Sequence, residues 1–262
     1  MEEIRCSVCM TAYNGERYIA KQVASIISQL SADDELIVSD DGSFDNTIGI
    51  LQNFQKTSIV PIRILKHEKK LIEKNKYGKN FIYTSRNFEN AIKSAKGKYI
   101  FLADQDDIWL PEKLQLFLQA FERDSLLVFS NYVVCDENEN IIKSAYFSKN
   151  PQNWSFIRKN ISPLYWGCCM AFKSELLNWI LPFPQNLYCH DAFIGLIASL
   201  CAEKNRIFFI EQPTLLYRRH IGTVSTGTKK SINPLLFKMG WRVSLLCDVI
   251  KRTIKIKRGI SK

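Results

Sequence analysis

Hydrophobic positions in the first half of the chain switch repeatedly between two periods. Apolar and polar side chains alternate along the stretch CSVCMTAY, residues 6–13. Residues 15–30 instead have apolar side chains at helical spacing. The same pair of patterns recurs along the chain, with polar turns between the segments. The predicted elements are strands at 6–13, 35–40, 61–67 and 98–103, helices at 15–30, 48–54 and 86–97, and a lysine-rich loop at 66–80. Alternating strands and helices predict an α/β domain with a mostly parallel sheet.

The pattern changes beyond residue 110, where several apolar runs follow one another without a helix between them. A helix is predicted at 111–124, and Pro111 suits its start because proline has a helical φ and lacks an N–H that would need a partner. The remaining predicted elements are paired strands at 126–136 and 140–147, a buried run at 166–172, a helix at 190–204, and strands at 206–212 and 213–220. This half is therefore predicted to form a mixed sheet.

The polar turn TGTKKSINP, residues 226–234, is the predicted domain boundary. It separates a globular part from a basic C-terminal segment. We therefore expect one domain at 1–228, made of two halves at 1–110 and 111–228, followed by a helical tail at 229–262.

The composition is that of an ordinary globular protein. The chain has 262 residues, of which 46% are hydrophobic and 24% charged, and this is enough for one large domain with its own core. Its eight cysteines lie mostly in apolar stretches, which favours reduced thiols over a disulfide framework. No apolar run approaches the roughly 18 to 20 residues of a spanning helix, and the first residues lack a signal-peptide layout. A cytoplasmic location is expected.

Most of the net charge of +10 lies at the C-terminus. Residues 229–262 contain ten Lys or Arg and one acid, Asp248, so the rest of the chain is nearly neutral. Apolar residues at steps of four and three predict an amphipathic helix, with a stripe of Leu235, Met239, Val243, Leu246, Ile250 and Ile254. Such a helix suits an anionic bilayer surface, and packing on the domain is the alternative. Nucleic-acid binding is not expected, because the main domain lacks an RNA-binding module or an aromatic and basic platform.

Two acidic turns follow predicted strands. Asp40 and Asp41 come after one apolar run, and Asp104, Asp106 and Asp107 come after another. Both turns are candidates for one site, because ligands of open α/β sheets bind at the carboxyl ends of the strands. Crowded carboxylates repel each other, and a divalent cation that bridges to a diphosphate would compensate them. The structural alternatives are a helix cap for Asp107 and a tight turn around Asp41.

An ordered set of motifs resembles a known family. The motifs are TAYNGERYIAKQVASIISQ, SDDGSFDNT, RNFENAIKSAKGKYIFLADQDDIWLPEKL, WGCCMAF, HDAF and YRRHIGTVS, which span about residues 4–228. In this order they are similar to family 2 glycosyltransferases with the GT-A fold, in the bacterial rhamnosyltransferase-like branch. The resemblance implies a single GT-A domain with a nucleotide-sugar-binding half at 1–110 and an acceptor half at 111–228. It also implies Mn²⁺ or Mg²⁺ as cofactor.

The activity implied by the resemblance is an inverting transfer of one sugar. The donor would be a nucleoside-diphosphate sugar and the acceptor a glycan hydroxyl, in the assembly of a bacterial surface polysaccharide such as capsule, O-antigen or exopolysaccharide. The acceptor can be linked to a polyprenyl lipid, which would place the protein peripherally on the inner face of the cell membrane. The Q-x-x-R-W signature of processive synthases is absent, which favours single-sugar addition.

The resemblance also implies roles for individual residues of the first half. It places Thr11, Tyr13 and Asn14 at the nucleoside pocket, Asp40 at the base, Asp41 near the ribose, Asp104 at the ribose or metal, Asp106 on the metal, and Arg86 and Asn87 in the family's matching segment. The D-x-D task is to neutralise the charge that develops on the leaving diphosphate. The lysine-rich loop is longer than in similar enzymes, so the basic residue that approaches the phosphates stays open.

Two residues of the second half complete the implied site. Asp191 matches the acid that similar enzymes use as general base, which hydrogen bonds the acceptor hydroxyl as it attacks. The structural alternative for Asp191 is an N-cap of the following helix. His220 matches a C-terminal histidine that completes the metal shell in some GT-A enzymes, and Arg218 or Arg219 could pair with the diphosphate. A strand-end histidine beside solvated arginines is the alternative.

Two other functions remain open at this point. The first is a catalytically degenerate protein that binds sugar nucleotides or acts as a scaffold. The second is a phosphotransferase that uses the first Asp of D-x-D as nucleophile. The second is disfavoured, because such enzymes place the motif near the N-terminus and follow it with Thr or Val, whereas Asp107 and Ile108 follow it here.

Overall fold

Strands and helices alternate through the first half of the chain, as the sequence predicts. The computed structural model describes residues 3–70, 72, 78–151, 154–161, 164–220 and 234–259. The elements of the first half are β1 (Cys6–Ala12), α1 (Ile19–Ile27), β2 (Glu35–Asp40), α2 (Thr47–Thr57), β3 (Ile62–Lys66), α3 (Lys79–Ser94) and β4 (Tyr99–Asp104). Strands β1 and β2 are buried along their whole length, because helices cover the faces of a parallel sheet.

The second half contains short strands, short helices and one long helix. Its strands are β5 (Ile108–Trp109), β6 (Leu127–Cys135), β7 (Ile141–Lys143), β8 (Met170–Lys173) and β9 (Ile207–Arg218). Its helices are α4 (Lys113–Glu122), α5 (Phe156–Ile161), α6 (Leu177–Ile180), α7 (His190–Cys201) and α8 (Leu235–Lys257), with 3-10 turns at Gly167–Cys169, Ser174–Leu176 and Lys204–Arg206.

The strands pair in one sheet with the order β3-β2-β1-β4-β8-β6-β9-β5, and β7 lies beside β6. The first four strands are parallel, whereas β8, β6, β9 and β5 pair in a mixture of directions, as predicted. The carboxyl ends of β1, β2 and β4 meet at one edge, where Thr11 pairs with both Ser39 and Asp104. This is the edge at which open α/β sheets bind ligands.

Several element boundaries differ from the sequence prediction, and α3 and β9 illustrate this. Helix α3 begins at Lys79, inside the predicted loop 66–80, because Ile82 on its first turn is buried. Strand β9 is continuous, although two strands were predicted for this region. Its register with β6 shifts where Asn131 lies opposite Pro213, and this irregularity accommodates a proline that cannot donate to the ladder.

The C-terminal segment forms the predicted helix, α8, but the helix packs through a different face. Leu245, Val249 and Thr253 are its buried residues, and the helix lies against α7. The predicted stripe points outward instead: its exposed members are Leu235, Met239, Val243, Ile250 and Ile254, and Leu246 is half-buried. Packing on the domain is therefore observed for one face of α8, and contact of the exposed stripe with a bilayer stays a prediction.

Within the described parts of the chain, none of the helices combines the length and the apolar character that crossing a membrane requires. The predicted domain boundary at 226–234 lies outside the described residues, apart from Pro234.

Candidate active site

The acidic turn lies between β4 and β5, at the carboxyl edge of the sheet. Asp104 ends β4, and the side-chain amide of Gln22 donates to its carbonyl at 2.9 Å. Gln105, the middle residue of the D-x-D motif, accepts from the Tyr13 N–H and donates to the Tyr13 carbonyl. The turn is thus fixed against the end of β1, where the nucleoside pocket is predicted.

Asp106 contacts a histidine from a distant part of the chain. Its Oδ2 lies 2.8 Å from His220 Nε2, and the His220 ring packs on Tyr18 with the ring centroids 4.5 Å apart. A carboxylate and an imidazole from separate segments form a donor set that suits Mn²⁺, and the carboxylate alone suits Mg²⁺. The two residues predicted to share a metal are therefore adjacent, and their chemistry fits a divalent ion.

Asp104, Asp107 and Cys168 form a second group, whose carboxylate oxygens and Sγ lie within 4.8 Å of one another. Asp107 is 1% exposed. Its Oδ1 accepts from the Arg218 backbone N–H, and its Oδ2 has no hydrogen-bond partner within the described part of the chain. Burial raises the pKa of Asp107 well above its usual range, and burial together with neighbouring carboxylates raises the pKa of Asp104 to about 7. The charged forms of these crowded carboxyl groups are therefore disfavoured, and a bound cation would stabilise them.

Asp191 belongs to the same site, on the first turn of α7. Its Oδ2 accepts from the Gly167 N–H at 3.3 Å and its Oδ1 from the Ala192 N–H at 2.7 Å. Burial is the main cause of the raised pKa of Asp104, and the charges of Asp106 and Asp191 add to it. Gly167, which donates to Asp191, precedes Cys168, whose Sγ lies within 4.8 Å of the Asp104 and Asp107 carboxylates, and this brings Asp191 to the side of the acidic turn. The N-cap position of α7 belongs to Cys189, so Asp191 is not the cap residue itself.

The predicted nucleoside residues gather at the end of β1. Thr11 is 8% exposed, and Tyr13 is 44% exposed, with the Lys69 ammonium 4.1 Å from its ring centroid. Asn14 has a positive φ of 48°, a conformation that asparagine tolerates, and its side-chain oxygen accepts from the Phe44 N–H. The exposed Tyr13 ring is the part of this group that a base could stack upon.

Asp40 and Asp41 differ in what their carboxylates contact. Asp40 accepts from the backbone N–H groups of Gly42 and Ser43 and from the Ser43 hydroxyl, as expected for a tight turn. Asp41 lies 2.8 Å from His67 Nδ1 and 2.8 Å from Lys69 Nζ, on the side of Tyr13. The role of Asp40 at the base stays a prediction, and the geometry offers Asp41 as an alternative.

Arg86 and Asn87 hold backbone segments together. The Arg86 guanidinium donates to the carbonyls of Lys70 and Gln185, and the Asn87 amide donates to the Ser39 carbonyl at 2.9 Å. Asn87 is buried. Both residues therefore shape the edge of the site, and their contact with a donor stays a prediction.

Sequence reasoning missed several residues of the site. Lys69 was one of many lysines in the predicted loop, and nothing distinguished it. Lys113 had a detectable signal, because it lies four positions before Phe117 on the apolar face of a predicted helix. Arg218 and Arg219 were the alternatives for pairing with the diphosphate, which stays a prediction. The structure adds that Arg218 Nε donates to the Asp106 carbonyl at 2.9 Å and so holds the acidic turn.

Residues 7–180, more than half of the chain, match Glycosyl transferase family 2. The chain belongs to glycosyl transferase family 2. It is therefore a glycosyltransferase, as the resemblance implied.

Two similar family 2 proteins come from bacteria. The dTDP-rhamnosyl transferase RfbG of Shigella flexneri is 29% identical over 225 residues, which cover 80% of this chain and 71% of that protein. The UDP-Glc:alpha-D-GlcNAc-diphosphoundecaprenol beta-1,3-glucosyltransferase WfgD of Escherichia coli is 31% identical over 206 residues, which cover 78% of this chain and 73% of that protein. RfbG confirms the predicted likeness to rhamnosyltransferases, and WfgD shows that the chain is also similar to a glucosyltransferase.

Solved structures show the same GT-A fold. S. aureus TarS 1-349 in complex with UDP matches with a TM-score of 0.61 and 20% identity, over 82% of this chain and 60% of that chain. The chain thus spans less than two thirds of that TarS structure. Glucosyl-3-phosphoglycerate synthase from Mycobacterium tuberculosis, in complex with Mn²⁺, UDP-glucose and phosphoglyceric acid, matches with a TM-score of 0.58 and 18% identity, over 95% of this chain and 79% of that chain.

Proposed function

We propose that this glycosyltransferase moves a single sugar, with inversion, from a nucleoside-diphosphate sugar to a glycan hydroxyl during the assembly of a bacterial surface polysaccharide. The observation that supports this most strongly is the neighbourhood of Asp191 and the acidic turn. Asp191 accepts from the Gly167 N–H, the next residue, Cys168, has its Sγ within 4.8 Å of the Asp104 carboxylate, and Asp106 of the same acidic turn contacts His220. One site thus contains a candidate base and a candidate metal pair.

Asp191 is proposed as the general base. Its carboxylate would accept a hydrogen bond from the acceptor hydroxyl and take its proton as the oxygen attacks the anomeric carbon. The new carbon–oxygen bond forms while the bond to the diphosphate breaks on the opposite face, and the diphosphate leaves with the electron pair. The Gly167 N–H contact orients the carboxylate for this task, because it occupies Oδ2 and fixes the side chain.

Asp106 and His220, with Asp104 beside them, are proposed to hold Mn²⁺ or Mg²⁺. When bound there, the ion would offset the negative charge of the leaving diphosphate. The support is the 2.8 Å contact between the two side chains and the concentration of buried carboxylates around it. The Mn²⁺ and UDP-glucose in the M. tuberculosis structure also favour this assignment.

The donor end is proposed to lie over Thr11, Tyr13 and Asn14, with Asp41 or Asp40 at the base. The names of RfbG and WfgD specify dTDP-rhamnosyl and UDP-Glc transfer, and the TarS structure contains UDP. Sugars linked to UDP and to dTDP are therefore both candidate donors. The acceptor is proposed to be a glycan linked to a polyprenyl diphosphate, since the name of WfgD specifies a diphosphoundecaprenol acceptor. The protein would then work peripherally at the inner face of the cell membrane.

The first experiment is a thermal-shift panel of UDP, GDP, CDP and dTDP sugars, each with and without Mn²⁺. A shift that depends on both the metal and one nucleotide would support the proposal and identify the donor base. Transfer to a lipid-linked glycan would then be measured, and NMR of the product would give the anomeric configuration. Retention of configuration would contradict the inverting mechanism, and binding without transfer to any acceptor would favour the degenerate alternative.

Asp191→Asn is expected to bind the donor like the wild type but to lose transfer. The amide cannot take the proton, and a general base typically contributes about 10²- to 10⁴-fold. We therefore expect kcat to fall by at least about 100-fold, with the donor-induced thermal shift unchanged. If the Asp191→Asn enzyme keeps the wild-type kcat, another residue must be the general base.

A further inference from the structure

Lys113 is a fully buried charged residue close to the acidic turn, and it takes no step in the proposed transfer. It begins α4, directly after the acidic turn and β5, and its side chain has no exposure to solvent. Removing an ammonium group from water is costly unless hydrogen bonds and opposite charges compensate. The contacts of Lys113 therefore need an explanation.

The Lys113 ammonium joins α4 to the 3-10 turn Gly167–Cys169. Its Nζ donates to the Cys168 carbonyl at 2.6 Å and lies 4.7 Å from the centroid of the Trp109 ring. The carbonyl and the aromatic ring bind the ammonium through a hydrogen bond and a cation–π contact. Because α4 follows the acidic turn so closely, this bond sets the distance between that turn and the 3-10 turn.

The 3-10 turn contacts both halves of the proposed site. Its first residue, Gly167, donates to Asp191 Oδ2, and Cys168 Sγ lies within 4.8 Å of the Asp104 and Asp107 carboxylates. A movement of the turn would therefore change the position of Asp191 relative to the acidic turn.

We propose that Lys113 is a positioning residue, whose buried ammonium fixes the 3-10 turn so that Asp191 and the acidic turn keep their relative placement. This inference rests on the proposed function of Asp191. Lys113 acts through the Cys168 carbonyl, to which its Nζ donates. A displacement of about 1 Å at a reacting group can cost about 100-fold in rate, so a single buried hydrogen bond can have a large effect on turnover.

Lys113→Met separates this role from a purely structural one. Methionine has a similar length and fills a similar volume, and exchanging a buried charged group for a hydrophobic one is often tolerated. We expect the variant to fold and to bind the donor with a KM within about threefold of the wild type, while kcat falls by about 100-fold. Lys173→Met is the matched control, because the Lys173 ammonium pairs with Asp124 rather than with the 3-10 turn, and it should keep the wild-type kcat.

A second variant tests the same turn with Lys113 intact. A Cβ added at Gly167 would lie 3.1 Å from His190 Nε2 and 3.7 Å from the Asp191 Cβ. Gly167→Ala should therefore displace the anchor of Asp191 and lower kcat with little change in donor KM. If Lys113→Met does not fold, a wild-type kcat in Gly167→Ala would still overturn the proposal, because kcat would then not depend on the placement of this turn.

The double variant Lys113→Met with Asp191→Asn tests whether Lys113 acts through Asp191. If it does, the second substitution should add little to the loss caused by Asp191→Asn, since residues that act as one unit are not additive. A fully additive loss, or a wild-type kcat in Lys113→Met, would overturn the proposal. An inactive wild-type enzyme would instead contradict the proposed function, so the two failures are distinguishable.

Discussion

At the scale of single residues, the acids of the site differ in what their oxygens contact. Asp40 accepts hydrogen bonds from its own turn, Asp41 pairs with a histidine and a lysine, and Asp106 contacts His220. Asp107 keeps one buried oxygen without a partner in the described part of the chain. A carboxylate that already stabilises a turn is less available to a ligand, so these contacts suggest a division between structural and functional acids.

The metal pair can be tested by removing either member. Asp106→Ala and His220→Ala should each weaken Mn²⁺ binding by at least about tenfold, because even groups that only support a metal ligand cost that much. Isothermal titration with Mn²⁺, with and without donor, measures the effect. Asp124→Ala is the control, since Asp124 is an exposed acid that pairs with Lys173. Equal Mn²⁺ affinity in all three variants would place the metal elsewhere.

Asp40 and Asp41 should respond differently to the same substitution. Asp40 is 6% exposed and accepts three hydrogen bonds, so Asp40→Ala should lower the free energy of unfolding by about 3 kcal/mol. Asp41→Ala should chiefly weaken donor binding, because Asp41 lies beside Lys69 and Tyr13. Urea unfolding and donor titration of both variants measure the two effects. A stable Asp40→Ala protein that has lost only donor binding would support the predicted role of Asp40 at the nucleotide base.

The sequence predicts the edge of the sheet at which these acids lie, because strand ends can be recognised from local patterns. It does not predict their partners. His67, Lys69 and His220 are brought to the acids by the tertiary fold, and a separation of 114 positions between Asp106 and His220 leaves no periodic signal. His220 was proposed as a metal ligand from the family resemblance alone, and the structure adds the contact.

At the scale of elements, α8 shows why an amphipathic pattern can be correct while its orientation is not. Residues 241, 245, 249 and 253 form a second stripe at steps of four, and Leu245, Val249 and Thr253 are the ones buried. Both stripes satisfy the helical period, so spacing alone could not choose between them. Arg252 marks the packed side, because its guanidinium donates to the carbonyls of Trp179 and Leu181 at the end of α6.

Two valines of α8 test this orientation under matched conditions. Val249 is fully buried and Val243 is 58% exposed, and both lie within the same helix. Val249→Ala should lower the free energy of unfolding by about 2 kcal/mol, whereas Val243→Ala should change it by less than about 0.5 kcal/mol. Chemical denaturation of both variants measures this. Equal effects, or the reverse order, would mean that the predicted stripe faces the domain after all.

At the scale of the whole molecule, α8 connects the site to a cationic surface. Its packed face lies against α7, and the first turn of α7 contains Asp191. Its outer face combines the exposed apolar stripe with exposed Lys251 and Lys255, whereas Asp248 is the one acid of the C-terminal segment. An apolar stripe beside basic residues is typical of helices that lie in the interface of anionic bilayers. This arrangement would bring the acceptor half close to a lipid-linked glycan.

A pair of neighbouring substitutions on α8 distinguishes membrane docking from simple charge attraction. Val243→Glu and Ser244→Glu change the net charge equally, but Val243 lies in the exposed apolar stripe and Ser244 lies outside it. On vesicles that contain phosphatidylglycerol, Ser244→Glu should weaken binding by about fivefold. This corresponds to about 1 kcal/mol for one charge near an anionic surface. Val243→Glu should weaken it by about a further tenfold, because it also places a charge where apolar contact with the bilayer is lost. Cosedimentation measures both, with neutral phosphatidylcholine vesicles as reference. Equal losses of affinity in the two variants would mean that the contact is electrostatic attraction alone. A wild-type protein that binds neither kind of vesicle would contradict a peripheral membrane role.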